Sequence, residues 1–303
     1  MTYTIELNNV TRSFGFGADR TVAVDQLSFA VPQGSVYGLL GANGAGKTTA
    51  IRMMVSHLLP DSGPDSGEVR VLGENPADQS ENLRRRVAYI SENMQLPQWM
   101  TLADAATFCR RQYPAWNDTL VGRLEQRFRL EGKKPYSDYS KGQRRAMCII
   151  LAFAQNAEVL ILDEPASGLD TLARHDFLEE ILAVACEENR TVLFSSHILG
   201  DIERIVDRVA ILGRGRLIVE GELDSLKENV RRIRLPGRLP DAVTQDVFKT
   251  LQTRQSDKGT ELVVTDFSEA KLEQLCRLLN LGDVTQADVE GLNLEELFVE
   301  TVK

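Results

Sequence analysis

Apolar residues along this chain fall into two kinds of run. Val36-Tyr37-Gly38-Leu39-Leu40, Val159-Leu160-Ile161-Leu162 and Thr191-Val192-Leu193-Phe194 are continuous, without polar alternation. Strands buried on both faces of a parallel sheet have this character. Ile5 to Val10 and Leu27 to Val31 instead alternate apolar with polar residues, as half-buried strands do. Glu68 to Gly73 resumes as a strand, and Arg85 to Ile90 leads into another that ends at Ser91-Glu92. The pattern from Leu172 to Glu188 is helical, the crossover that a parallel sheet requires. Val209 to Leu212 and Arg216 to Val219 flank Gly213-Arg214-Gly215 and predict a hairpin. From Thr101 to about Lys134 the pattern is again helical. Phe108, Leu120, Leu124 and Phe128 mark its apolar faces, and Pro114 interrupts it. These elements predict an α/β fold with a parallel core sheet, a β-rich first segment and a helical stretch before the sheet resumes.

Beyond a boundary near Leu223 to Val230 the chain changes character. Arg231 to Leu235 and Glu261 to Val264 read as strands, and Asp241 to Gln252, Ser268 to Leu279 and Leu294 to Val302 as helices. The expected organisation is a main domain over 1–225 and a small C-terminal α+β domain over 231–303. Pro60-Asp61-Ser62-Gly63 is repeated at once as Pro64-Asp65-Ser66-Gly67, which reads as a lengthened surface loop.

Composition narrows the setting. With 303 residues, 43% apolar and 26% charged, the chain can build a full core. The net charge of −9 argues against a surface that coats nucleic acid. No apolar stretch approaches the roughly 20 residues that span a bilayer. The longest, Ala146 to Ala154, reads as a buried helix. The N-terminus lacks a basic region and an apolar signal core, so a cytoplasmic location is expected. Cys109, Cys148, Cys186 and Cys276 are scattered and read as reduced thiols.

The candidate chemistry sits at strand ends. Gly41-Ala42-Asn43-Gly44-Ala45-Gly46-Lys47-Thr48 fits the phosphate-loop pattern G-x-x-x-x-G-K-[ST], between a predicted strand and a predicted helix. Its glycines let backbone N–H groups turn inward on a polyphosphate, at a helix N-terminus. Lys47 is placed to reach the terminal phosphates, and the Thr48 hydroxyl to bind Mg2+. Asp163 and Glu164 end the run from Val159, at the sheet edge where ligands bind. Asp163 is placed to hold the metal opposite Thr48, and Glu164 to activate water. His197 follows the run from Thr191 to the same edge and can donate to a γ-phosphate. Tyr139-Ser140-Lys141-Gly142-Gln143 opens an apolar helix. Its Ser and Gly make either a plain N-cap or a second anion site, the latter implying a nucleotide held between two copies.

Taken in order, these motifs resemble ATP-binding-cassette ATPases, the nucleotide-binding subunits of ABC transporters, over about residues 4–222. The resemblance implies an ABC-type P-loop ATPase fold, with a mostly parallel core sheet, an N-terminal antiparallel β subdomain and a helical subdomain over about residues 93–155. It implies the use of ATP and Mg2+, with Glu164 and His197 catalytic. Tyr139 to Gln143 matches the family signature, implying that Ser140, Gly142 and Gln143 contact nucleotide. Ser167-Gly168-Leu169-Asp170 matches the dimer-facing D-loop, which adds Asp170 to the expected nucleotide contacts. Phe14 matches the aromatic residue that stacks on adenine, although a packing role fits it nearly as well. Gly41, Asn43, Gly44, Gly46 and Thr49 complete the expected nucleotide set.

Three residues depart from the family pattern. Glu92 stands where a glutamine normally contacts metal and water; as a hard oxygen donor it can still bind Mg2+. Lys141 replaces a glycine and either adds charge toward phosphate or faces solvent. Tyr139 replaces a leucine, a packing change.

Glu92, the Tyr-Ser-Lys-Gly-Gln form, Tyr113 to Asn117 and Leu294 to Glu300 resemble the exporter group with ABC-2-type permeases. The implied partners are a separate transmembrane permease, meeting the surface around Glu92 to Trp116, and a second cassette, a homodimer being the expectation. That places the chain at the inner face of the plasma membrane. The alternative, a non-transport cassette acting on DNA or the ribosome, is disfavoured. There is no long coiled-coil insertion, only one cassette, and an acidic charge. A GTPase would need Asn-Lys-x-Asp, which is absent.

Overall fold

A six-stranded sheet places the fully buried strand β3 (Val36–Gly41) near its middle. The computed structural model describes residues 2–63, 67–187, 190–237, 239, 247–256, 259–279 and 287–302. They form two units, Met1–Glu220 and Gly221–Lys303.

In the first unit, β1 (Tyr3–Phe14), β2 (Thr21–Pro32) and β4 (Glu68–Val71) make an antiparallel sheet in the order β2-β1-β4. β1 extends beyond the predicted Ile5 to Val10, because bulges between Leu7 and Ser13 let it keep pairing with β2. The larger sheet has the order β5-β6-β7-β3-β8-β9. It comprises β5 (Val87–Ile90), β6 (Val159–Leu162), β7 (Thr191–Ser196), β8 (Arg208–Gly213) and β9 (Arg216–Glu222) around β3. The pairs β5–β6, β6–β7, β7–β3 and β3–β8 are parallel. β6 and β7 are buried at every position, as their unbroken apolar runs predict.

Helix α1 (Lys47–Met54) packs between the two sheets. One core joins Ile5, Leu7 and Leu27 of the antiparallel sheet to Ile51 and Met54 of α1 and to Leu39, Ile161 and Leu193 of the parallel one. Full burial of such a side chain stabilises by about 1.5–3 kcal/mol. The parallel strands all run toward one edge, and that edge carries the site.

Helix α2 (Glu81–Arg86) leads into β5. α3 (Leu102–Gln112) starts at a Thr101–Asp104 capping box, and α4 (Asp118–Arg127) at an Asn117 cap. Pro114 lies between them. α3 buries Leu102, Ala105 and Ala106, and Phe108 falls off that stripe and is exposed. The periodicity had placed Phe108 on an apolar face; spacing from Leu102 and Ala105 explains the difference. α5 (Lys141–Ala154) is buried continuously from Arg145 to Ala154, as a core helix. Among the described residues no helix is long and apolar enough to cross a membrane. α6 (Thr171–Glu187) is the crossover between β6 and β7.

The second unit contains a four-stranded antiparallel sheet. Its strands are β10 (Arg231–Leu235), β11 (Thr250–Ser256), β12 (Gly259–Val264) and β13 (Asp288–Gly291), in the order β11-β12-β10-β13. Helices run over Glu269–Leu278 and Leu294–Val302. Ile233, Leu262, Val264, Leu272 and Leu275 form its separate core. The predicted helix from Asp241 to Gln252 is corrected at its end. Thr250 to Gln252 belong to β11, because they pair across to Val264 and Val263 of β12. Residues 241–246 lie outside the described residues, and β13 carried no recognised pattern.

Candidate active site

The backbone turns that follow β3, β6 and β7 bring the phosphate loop, the acidic pair and the histidine together. After β3 the chain passes through Gly44 and Gly46 at φ +82° and +101°. A Cβ on Gly46 would lie 2.5 Å from the Ala23 carbonyl oxygen, so only glycine fits there. α1 then begins at Lys47. The Lys47 side chain is 6% exposed and folds back over the loop. Its Nζ donates to the Gly41 carbonyl at 2.6 Å and lies 3.6 Å from Glu164 Oε1.

Asp163, 1% exposed, accepts from Thr48 Oγ1 at 3.2 Å and from Ser195 Oγ at 2.8 Å through the same Oδ1. The Glu164 backbone N–H donates to Ser195 Oγ at 2.9 Å. Ser195 therefore links the acidic pair to β7. Sequence reasoning passed over Ser195, although its place two residues before His197 was visible. Glu164 has φ +45°, an uncommon conformation for a residue with a side chain. His197 Nδ1 lies 2.9 Å from Glu164 Oε2.

A cavity of about 510 Å³ is lined by Asn43, Gly44, Gly46, Lys47, Thr48 and Thr49 together with Glu92, Glu164 and His197. Gly41 contributes its carbonyl to Lys47. Phe14 is not among the lining residues. It lies 41% exposed at the end of β1, with the Arg12 guanidinium 5.1 Å from its ring centre.

Ser140, Gly142, Gln143 and Asp170 are elsewhere, on a second cavity of about 320 Å³. Ser140 is the N-cap of α5. Its hydroxyl accepts from the Gln143 N–H at 3.3 Å, and Gln143 Oε1 accepts from the Ser140 N–H at 3.1 Å. The capping reading of Ser140 is thus present in the structure. Asp170 accepts from the Ala173 N–H at 2.9 Å at the start of α6. The loop before α6 approaches α5 closely: a Cβ on Gly142 would sit 3.3 Å from the Gly168 carbonyl. Within one chain the two sets of predicted nucleotide residues line two different cavities.

Comparison with known proteins gives the family. The family profile described as ABC transporter matches residues 24–167. The bacitracin transport ATP-binding protein BcrA of Enterococcus faecalis is 32% identical over 234 residues, covering 77% of this chain and 73% of that protein. This chain belongs to the ABC transporter ATP-binding proteins. It is an ATPase subunit of that family. The Nod factor export ATP-binding protein I of Sinorhizobium fredii is 35% identical over 230 residues, 73% of this chain and 64% of that one. The solved structure of an ATP binding subunit of an ABC transporter superposes with a TM-score of 0.64 at 30% identity. It covers 75% of this chain and 92% of its own.

The structure places each of the three departures from the family pattern. Tyr139 is buried, and its hydroxyl accepts from the Glu131 N–H at 2.7 Å and donates to the Glu131 carbonyl at 2.5 Å, closing the loop before the signature. Burial pushes that phenol above its ordinary pKa. Lys141 lies along the D-loop: a Cβ on Gly168 would meet its Cε at 3.0 Å. Glu92 is exposed and lines the phosphate-loop cavity. Arg145, which carried no assignment from sequence, is 5% exposed and bonds to the backbone at Ser91, Glu92, Asp163, Glu164 and Pro165.

Proposed function

We propose that this chain is the energising subunit of an exporter and hydrolyses ATP at sites shared between two copies. The observation that carries this reading is the division of the nucleotide residues between two cavities. The phosphate loop, Glu164 and His197 form one half-site; Ser140, Gly142 and Asp170 form the other. Each half presents a helix N-terminus, at α1 and at α5, the kind of end that binds anions. A pair of chains facing each other completes two sites.

In this reading Lys47 leaves Glu164 to neutralise the terminal phosphates. Glu164 takes a proton from water as the water oxygen bonds to the γ-phosphorus and the bond to ADP breaks. His197 holds the Glu164 carboxylate and faces the γ-phosphate. A neutral imidazole has one N–H and serves one of these two acceptors at a time. Thr48 and Asp163, a hydroxyl and a carboxylate 3.2 Å apart, are the hard oxygen donors that suit Mg2+, with Glu92 nearby on the cavity wall. Bound there, the ion would offset phosphate charge.

Export is supported by relatives whose names denote bacitracin transport and Nod factor export. The partner is a transmembrane permease of the ABC-2 type, which would hold the cassette at the inner membrane face. Trp99 and Phe108, 70% and 62% exposed, give the Glu92 to Trp116 region apolar contact surface. Trp116 instead bonds Asp118 through its indole N–H at 2.9 Å. The unit from Gly221 serves as an accessory domain.

The test is Glu164→Gln with ATP and Mg2+ on a sizing column. The reading expects an ATP-dependent dimer with turnover nearly abolished. Normal hydrolysis by this variant would remove Glu164 as the base.

A further inference from the structure

The signature helix carries a buried cation whose contacts reach past its own half-site. Arg145 lies five residues after Ser140, on the second turn of α5. A guanidinium has five N–H groups, and five backbone carbonyls surround this one. Nε donates to Pro165 at 2.8 Å. One terminal nitrogen donates to Ser91 at 2.6 Å and Glu92 at 3.3 Å. The other donates to Asp163 at 3.2 Å and Glu164 at 3.0 Å.

We propose that Arg145 is a positioning residue for ATP hydrolysis: it locks the Glu164 loop to the Glu92 loop and ties both to the helix whose end meets the second nucleotide. This rests on the shared-site reading above. Two features separate it from ordinary packing. Every acceptor is a carbonyl, so the charge is buried without a carboxylate in contact, an expensive arrangement. The acceptors also belong to two of the loops that carry side chains on the nucleotide cavity, Glu92 after β5 and Glu164 after β6.

The Glu164 backbone is held from both sides. Its N–H goes to Ser195 and its carbonyl to Arg145, across the φ of +45°. An uncommon conformation persists where its surroundings over-determine it. When the end of α5 engages a nucleotide on the partner copy, any shift of the helix passes through Arg145 to the carbonyls of Glu92 and Glu164. Lysine cannot replace it, because an ammonium has three donors and no planar fork to span both loops.

The test uses the full chain as R145K and R145Q, measuring kcat, affinity for a fluorescent ATP analogue and thermal stability. Both variants are expected to lose about 100-fold in kcat while affinity stays within about twofold, the pattern of lost transition-state positioning. The double variant R145K/E164Q is expected still to form the ATP-dependent dimer. Wild-type kcat in R145K overturns the proposal. So does a parallel fall of kcat, affinity and melting temperature in both variants, which marks a fold lesion. If E164Q alone forms no ATP-dependent dimer, the shared-site reading fails; the split between kcat and affinity then still decides whether Arg145 sets the Glu164 loop.

Discussion

His197 Nδ1 lies 2.9 Å from Glu164 Oε2, while Glu164 Oε1 lies 3.6 Å from Lys47 Nζ. The carboxylate is therefore held at both oxygens by groups from two different strand ends. The His197 side chain is half exposed to the cavity, and Glu164 is buried behind it. Substituting His197 with alanine removes one of these restraints and, in the proposed mechanism, the donor that turns from Glu164 to the γ-phosphate. We expect a kcat loss of about 100-fold or more, the scale for one preorganised donor. ATP binding should change little, since the phosphate loop is untouched. Phosphate release and nucleotide titration check the two halves separately.

Ser195 receives the Glu164 N–H and donates to Asp163, both buried. Ser195→Ala leaves the Glu164 N–H without its acceptor. A buried polar group left unpaired costs about 1–3 kcal/mol. Urea unfolding should show a loss on that scale, and turnover should fall because the acidic pair loses its tie to β7.

Gly46 at φ +101° faces the Ala23 carbonyl. Gly46→Ala forces a Cβ into a space 2.5 Å from that oxygen, so the loop must move. We expect ATP affinity to fall at least about tenfold, since backbone N–H geometry is what the loop offers phosphate. Isothermal titration reads this directly. Gly44→Ala is the contrasting variant: nothing lies within 4 Å of a Cβ there, and only the φ of +82° opposes it.

Glu158 precedes β6 and accepts two bonds from Arg86 at 2.6 and 2.9 Å. These bonds hold its carboxyl below the usual range. A lowered folded pKa means that the unfolded chain takes up the proton first. The contribution is therefore present above the unfolded value and lost as pH falls through the folded one. The pair is largely exposed, so its size stays below about 1 kcal/mol. The difference in melting temperature between wild type and Glu158→Gln should shrink as pH is lowered from about 6 to about 3.

Much of the main unit was legible because its signals are properties of residues. β6 and β7 are unbroken apolar runs, and the phosphate loop needs glycines at fixed places. The Ser140–Gln143 capping box was likewise written in residue types. Arg145 was not legible, because its partners are main-chain carbonyls, which every residue has; only the fold decides which five converge. β11 was missed for a related reason. Thr250-Leu251-Gln252-Thr253 has weak alternation, and its strand form comes from pairing with β12. Phe108 misled because one aromatic does not define a helix face; the neighbours Leu102, Ala105 and Ala106 do.

The central claim is that one catalytic site takes its phosphate loop from one copy and its signature from another. Lys47→Ala destroys the first half and leaves Ser140 and Gly142 intact. Gly142→Asp does the reverse, placing a carboxylate where phosphate is expected. Each variant alone should be inactive. Mixed in equal amounts with ATP and Mg2+, they can form a pair with one complete site, and ATP hydrolysis should reappear. A mixture as inactive as its components, or an active Gly142→Asp variant, would contradict the account.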